Sequence, residues 1–166
     1  MKKRQALAAR KYLAPSIVVI TLIHFTVGPG VLAAQTATSS APRQPAALKT
    51  VWDGVYTKEQ AIRGQAAYIQ VCSSCHRPDM SGSEVRGELA PELVGAYFLL
   101  RWSGPLSQLL IKIDDEMPKD APGTVTSEAA VDIISYLLEA NDARPGTAEL
   151  PPDREKVKQV LVTKKP

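Results

Sequence analysis

The feature that most constrains this chain is the pentapeptide Cys72-Ser73-Ser74-Cys75-His76, which holds both of its cysteines and one of its two histidines. Two thiols three positions apart can each add to one vinyl group of a haem, while the adjacent imidazole is held under the iron. Competing readings use the residues less completely. A structural zinc site needs four ligands, but there is no further Cys, and the other His is His24 near the N-terminus. A thioredoxin-like pair is expected at a helix start after a strand, whereas here a helical pattern ends at the motif. A plain disulfide in an exported protein gives His76 no role. Covalent haem through Cys72 and Cys75, with His76 as an axial ligand to iron, uses all three residues.

A second axial ligand has to approach the opposite face of the ring. Apart from Met1, the chain has only Met80 and Met117. Met80 follows His76 by four residues, too few to pass around the haem edge, so Met117 is the expected metal ligand. A thioether is soft and polarizable, and Met/His coordination raises the potential of a haem. Core packing is the ordinary role of a lone Met. This one, however, sits in Asp114-Asp115-Glu116-Met117-Pro118-Lys119-Asp120, with no apolar stripe around it. Asp114, Asp115 and Glu116 read as a solvated rim.

The first third of the chain is not domain sequence. Lys2, Lys3, Arg4, Arg10 and Lys11 precede an apolar run from Ile17 to Val27, and Val31-Leu32-Ala33-Ala34 offers small residues for cleavage. The run is shorter than the roughly 20 apolar residues of a membrane span. A signal peptide over residues 1–34 is expected, with an uncleaved anchor as the alternative that would bring a membrane into play. Residues 1–34 hold five of the twenty Lys and Arg and none of the seventeen Asp and Glu. The remainder has fifteen basic against seventeen acidic residues, a balance of −2. The whole-chain charge of +3 thus belongs to the targeting segment and does not imply nucleic-acid binding. Export to the bacterial periplasm is expected, and thioether attachment of haem takes place outside the cytoplasm.

Residues 35–49 are rich in Ala, Thr, Ser, Pro and Gln without apolar periodicity, and read as a flexible linker. The folded unit is expected over 50–148, followed by a mobile tail over 149–166 that Pro151-Pro152 opens. Within the unit, Thr57 and Gln60 form a capping box before Ala61, Gly64, Tyr68 and Val71 on one helical face. A second helix is expected with Ser103 or Gly104 as cap, Pro105 first, and Leu106, Leu109, Leu110 and Ile113 inward. A third starts at Thr126, turns Ala130, Ile133, Ile134, Leu137 and Leu138 inward, and ends near Asn141. Pro78, Gly82, Gly87, Pro91, Gly95, Pro118, Pro122 and Gly123 mark the intervening stretches as loops. The fold class is therefore all-α, with three main helices and long loops wrapped around one covalent haem that completes an otherwise thin core.

In order and spacing these residues resemble the small soluble c-type cytochromes with an N-terminal haem-attachment motif. The resemblance spans roughly residues 54–146. Gly64 and Tyr68 match the small-plus-aromatic pair of the first helix, Cys72, Cys75 and His76 the attachment site, and Pro91-Glu92-Leu93-Val94-Gly95 a Pro-x-Leu-x-Gly loop. Met117-Pro118 matches the methionine-ligand loop, and Ile133 to Leu138 with Tyr136 the last helix. What the resemblance implies is a cytochrome c-like fold with one haem c. Pro91 then corresponds to the proline whose carbonyl accepts a hydrogen bond from the haem histidine, here His76, orienting the ring and making it more basic. Gly64 should face the helix containing Tyr136; the alternative is an ordinary helix glycine, about 1 kcal/mol less favourable than Ala. The chain departs from short members in the fourteen residues between His76 and Pro91 and in the acidic approach to Met117. Arg101 and Trp102 are candidates for reaching the haem propionates.

Function follows as one-electron transfer, with no catalytic residues expected. A haem enzyme or gas sensor would need distal acid–base groups, and after the signal no second His remains. The stretch from Phe98 to Asn141 looks like cytochromes that accompany periplasmic dehydrogenases, including quinoprotein ones. That resemblance implies either a free shuttle or a dedicated dehydrogenase subunit. A periplasmic dehydrogenase is the expected donor, and an oxidase or another cytochrome the acceptor.

Overall fold

The computed structural model describes residues 48–166. The expected signal peptide, and residues 35–47 of the expected linker, lie outside the described residues. In chain order the elements are β1 Lys49–Thr50, α1 Lys58–Val71, α2 Ser73–His76, β2 Ser83–Val85, β3 Glu88–Ala90 and α3 Gly95–Arg101. They continue with β4 Gly104–Pro105, α4 Ser107–Glu116, α5 Ser127–Ala140, α6 Arg154–Val157 and β5 Val160–Val162. Three helices of ten residues or more carry the frame, joined by three shorter ones and by two small sheets. The all-α expectation thus needs correction, because the connections contain paired backbone as well as loop. Among the described residues no helix is long and apolar enough to cross a membrane.

Helix α1 starts where its capping box places it. The Gln60 backbone N–H donates to Thr57 Oγ1 at 3.2 Å, and the Thr57 N–H reaches back to Gln60 Oε1 at 3.5 Å. Gln60 also binds a distant strand of chain: its Oε1 accepts from the Leu150 N–H at 2.6 Å and its Nε2 donates to the Leu150 carbonyl at 3.0 Å. One buried amide therefore caps the first helix and fixes the start of the C-terminal segment.

The faces of α1 and α5 meet at Gly64. A Cβ built on Gly64 would stand 1.8 Å from the Asp132 carbonyl oxygen, so the two backbones are as close as a glycine permits. Tyr68 and Tyr136 pack edge to face beside this point, ring centroids 5.6 Å apart. Arg63 grips Asp132 with two hydrogen bonds, 2.7 and 2.9 Å. Gly64→Ala forces backbone against backbone and should destabilise the fold by about 3 kcal/mol, the upper end for overpacking, read as a lower denaturant midpoint. A loss near that of an ordinary exposed helix site would show that the helices can part cheaply.

The second long helix begins later than its proline suggested. Pro105 lies in the edge strand β4, where a missing N–H costs nothing, and α4 starts at Ser107 without a side-chain cap. Leu109, Leu110 and Ile113 are its buried face, as their spacing requires. Helix α5 runs from the Thr126 cap, whose Oγ1 accepts from the Ala129 N–H at 3.3 Å, to Asn141.

The expected mobile tail over 149–166 is instead part of the core. Asp153 caps α6, and Val157, Val160 and Val162 are buried while Leu161 between them is half-exposed. Strand β5 pairs in parallel with β1 and antiparallel with β4, becoming the centre of a three-stranded sheet. The alternation of valines along β5 is the strand period; three residues are too few for that period to stand out in sequence. Lys49 and Thr50 are consequently paired strand, so the folded unit begins at the end of the expected linker.

Candidate functional site

Helix α1 delivers Cys72 as its C-cap, with the Cys72 N–H donating to the Tyr68 carbonyl at 2.8 Å. The single turn α2 follows at once. The N–H groups of Cys75 and His76 both donate to the Cys72 carbonyl, at 3.2 and 2.9 Å, which sets both thiols and the imidazole on one turn. Arg77 then reverses the chain in the left-handed region, at φ 63°. The Tyr68 hydroxyl donates to the Arg77 carbonyl at 2.7 Å and holds that reversal; burial, with Cys72 and Tyr136 nearby, pushes the phenol's pKa up and keeps this proton in place.

Both thiols are free and half-buried. Burial, and secondarily the neighbouring Cys75, pushes the Cys72 thiol up to about 11. A dithiol redox catalyst needs the opposite shift, toward thiolate at neutral pH. The Cys72 environment therefore does not favour a thioredoxin-like nucleophile.

His76 Nδ1 lies 2.8 Å from the Pro91 carbonyl oxygen. A carbonyl only accepts, so Nδ1 is the donor of this bond, and Nε2 is the ring nitrogen left to meet a metal. This is the contact that the family resemblance implies. The Pro91 loop is itself fixed: the Leu93 N–H donates to the Met80 carbonyl at 2.9 Å. Asn141, at the end of α5, accepts from the Gly95 N–H at 2.8 Å and donates to the carbonyls of Leu93 at 3.0 Å and Leu137 at 2.8 Å.

Asn141 is a site residue that sequence reasoning took only for a helix end. It supplies from another element the cap that α3 lacks locally, since Val94 has no side chain to offer. It also ties the His76-bonding loop to the rigid α5. Asn141→Leu leaves the part-buried Gly95 N–H and Leu93 carbonyl without this partner and should cost about 1–3 kcal/mol, measured by denaturation. An unchanged midpoint would mean that water replaces the amide.

A hairpin stands where the punctuation by Gly82 and Gly87 predicts only loop. Strands β2 and β3 pair antiparallel, Val85 opposite Glu88, around Arg86 and Gly87, both at positive φ (53° and 80°). That is the two-residue turn whose twist suits a hairpin, and Gly87 was its one visible signal.

The two methionines differ in placement. Met80 is 2 % exposed and belongs to the core, while Met117 is half-buried at the end of α4, outside the buried cluster. Cys72, Cys75, His76 and Pro91 are brought together; Met117 is carried on a separate element. Arg101 places its guanidinium 4.8 Å from the centroid of the half-buried Trp102 ring. The acidic run before Met117 is not a free rim. Arg154 Nη2 bonds Asp114 at 2.8 Å and Asp115 at 2.5 Å, and Lys112 pairs with Glu116 one turn on.

As a donor set these groups fit haem: two free thiols on one turn, and an imidazole with its proton fixed on the far nitrogen. Residues 59–137 match the family model described as cytochrome C oxidase, cbb3-type, subunit III. No curated protein and no solved structure matches the chain significantly. A cytochrome c domain of this kind serves haem-based electron transfer and has a cytochrome c-like fold. The attachment turn and the family match over residues 59–137 together support a c-type cytochrome with a covalently bound haem c.

Proposed function

We propose that the protein is a periplasmic one-electron carrier whose haem iron is ligated by His76 and Met117. The observation that carries this reading is the His76–Pro91 hydrogen bond. It orients the imidazole and places the Nδ1 proton on the side away from the metal, as a permanent ligand should have it. Haem c supplies a reversible one-electron couple when bound. The chain's own residues hold it through Cys72 and Cys75, orient His76, and present Met117 from the end of α4. A second axial ligand, the Met117 thioether, favours an electron carrier over an enzyme, because it would close the position a small substrate needs.

The matched family is described as an oxidase subunit, which supports a respiratory setting. A periplasmic dehydrogenase then donates, and an oxidase or another cytochrome accepts. The other arrangement is a dedicated cytochrome subunit of a quinoprotein-like dehydrogenase. Fractionated periplasmic dehydrogenases mixed with the oxidised protein test the role: one fraction should reduce it rapidly. Co-elution of native protein with that fraction on gel filtration would identify the subunit arrangement. Reduction by no fraction, with rapid carbon monoxide binding instead, would contradict the carrier reading.

A further inference from the structure

Residues 117–126 join α4 to α5 and include the methionine on which the proposed ligation rests. This loop is closed at its base: the Ser127 hydroxyl, just beyond it, donates to Asp114 Oδ2 at 2.9 Å, just before it. Arg154 from the C-terminal segment lands on the same point, bonding Asp114 Oδ2 at 2.8 Å and Asp115 Oδ1 at 2.5 Å. Asp114 is only 14 % exposed. Three elements, α4, α5 and α6, therefore converge on one carboxylate three residues from Met117.

The arginine is not a free surface side chain. Helix α6 is capped by Asp153, which accepts from the Glu155 and Lys156 N–H groups at 2.9 and 3.1 Å. Val157 on the same turn is fully buried, and β5 beyond it is hydrogen-bonded on both edges. The segment that holds Arg154 is thus anchored independently of the ion pair, so little entropy is lost in making it.

A rival fastening is weaker. Lys119, inside the loop, pairs with Glu88 on the hairpin, but both are almost two-thirds exposed and each makes one contact. Isolated exposed pairs contribute little, whereas a guanidinium shared between two carboxylates, one of them sheltered, forms a network.

We propose that Arg154 is a positioning residue for Met117: the C-terminal segment fastens the base of the ligand loop and sets how readily the sulfur leaves the iron. This rests on the reading of Met117 as ligand. The contact lies outside the resemblance to small cytochromes, which ends near residue 146, and it gives the last part of the chain a role in the redox site.

The test uses full-length, haem-loaded protein. Carbon monoxide binding to the reduced form is followed by stopped flow, since it requires Met117 to vacate the iron. Arg154→Ala should bind about fivefold faster than wild type. Arg154→Lys, which keeps the charge but not the fork, should recover part of the difference. Lys58→Ala, which removes another exposed ion pair at Glu139, should leave the rate unchanged. Arg154→Ala should also lower the denaturant midpoint more than Lys58→Ala, since it dissolves the network; rates measured without denaturant, where both variants are fully folded, separate loop fastening from global stability. Equal rates for wild type and Arg154→Ala, with the sulfur–iron band present in both, would overturn the fastening alone. A wild type without that band would overturn the ligand reading, and the fastening with it.

Discussion

Met117→Ala is expected to remove the weak near-infrared sulfur-to-iron charge-transfer band from the oxidised protein and to open the reduced protein to carbon monoxide. The reduction potential should fall by on the order of 0.1 V or more, within the roughly 0.8 V over which axial ligands set haem potentials. Fold stability should change little by comparison, because Met117 is half-buried and outside the core cluster. Met80→Ala should behave in the opposite way. Met80 is 2 % exposed among core residues, so its truncation should cost about 2–5 kcal/mol while the band and the potential stay near wild type. Spectroscopy with a redox titration, alongside denaturation, separates the two. Loss of the band in Met80→Ala would assign ligation to the wrong loop.

Replacing both Cys72 and Cys75 by Ser should have the largest effect on the protein as a whole. No haem should remain after denaturation and acid extraction, whereas wild type keeps its colour through both. The chain should also accumulate poorly and be proteolysed, since α1, the attachment turn and the Pro91 loop lose the group they are arranged around. The intact mass reports attachment, and limited proteolysis reports folding. A stable, protease-resistant double variant would show that the described core, including its C-terminal strand, folds without haem.

Much of the site was legible because its signals are local. The pentapeptide fixes the thiols and imidazole by covalent spacing; the Thr57 box and the Thr126 cap fix the starts of α1 and α5, and seven-residue apolar periods fix their inner faces. Gly64 was legible by resemblance, and the 1.8 Å approach of Asp132 explains why a glycine stands there. The missing parts are those whose causes lie far away in sequence. Helix α3 has no cap of its own and depends on Asn141, 46 residues later. Strand β5 is three residues long and is stabilised by partners near residues 49 and 104. Pro151-Pro152 looked like the end of the fold because prolines punctuate, yet the buried Gln60 amide picks the chain up one residue before them. Asp114 and Asp115 looked solvated because their counter-ion, Arg154, is about 40 residues away.

The one-electron carrier with a covalent haem is tested most directly by a spectrally monitored redox titration of the purified protein. The account predicts a single reversible haem transition with a slope of about 59 mV per tenfold change in the oxidised-to-reduced ratio, the one-electron value. Thiol-alkylating reagent should leave it unchanged, because both sulfurs are already bonded to carbon. A slope of about 30 mV that alkylation abolishes would instead report a Cys72–Cys75 dithiol couple and contradict the account.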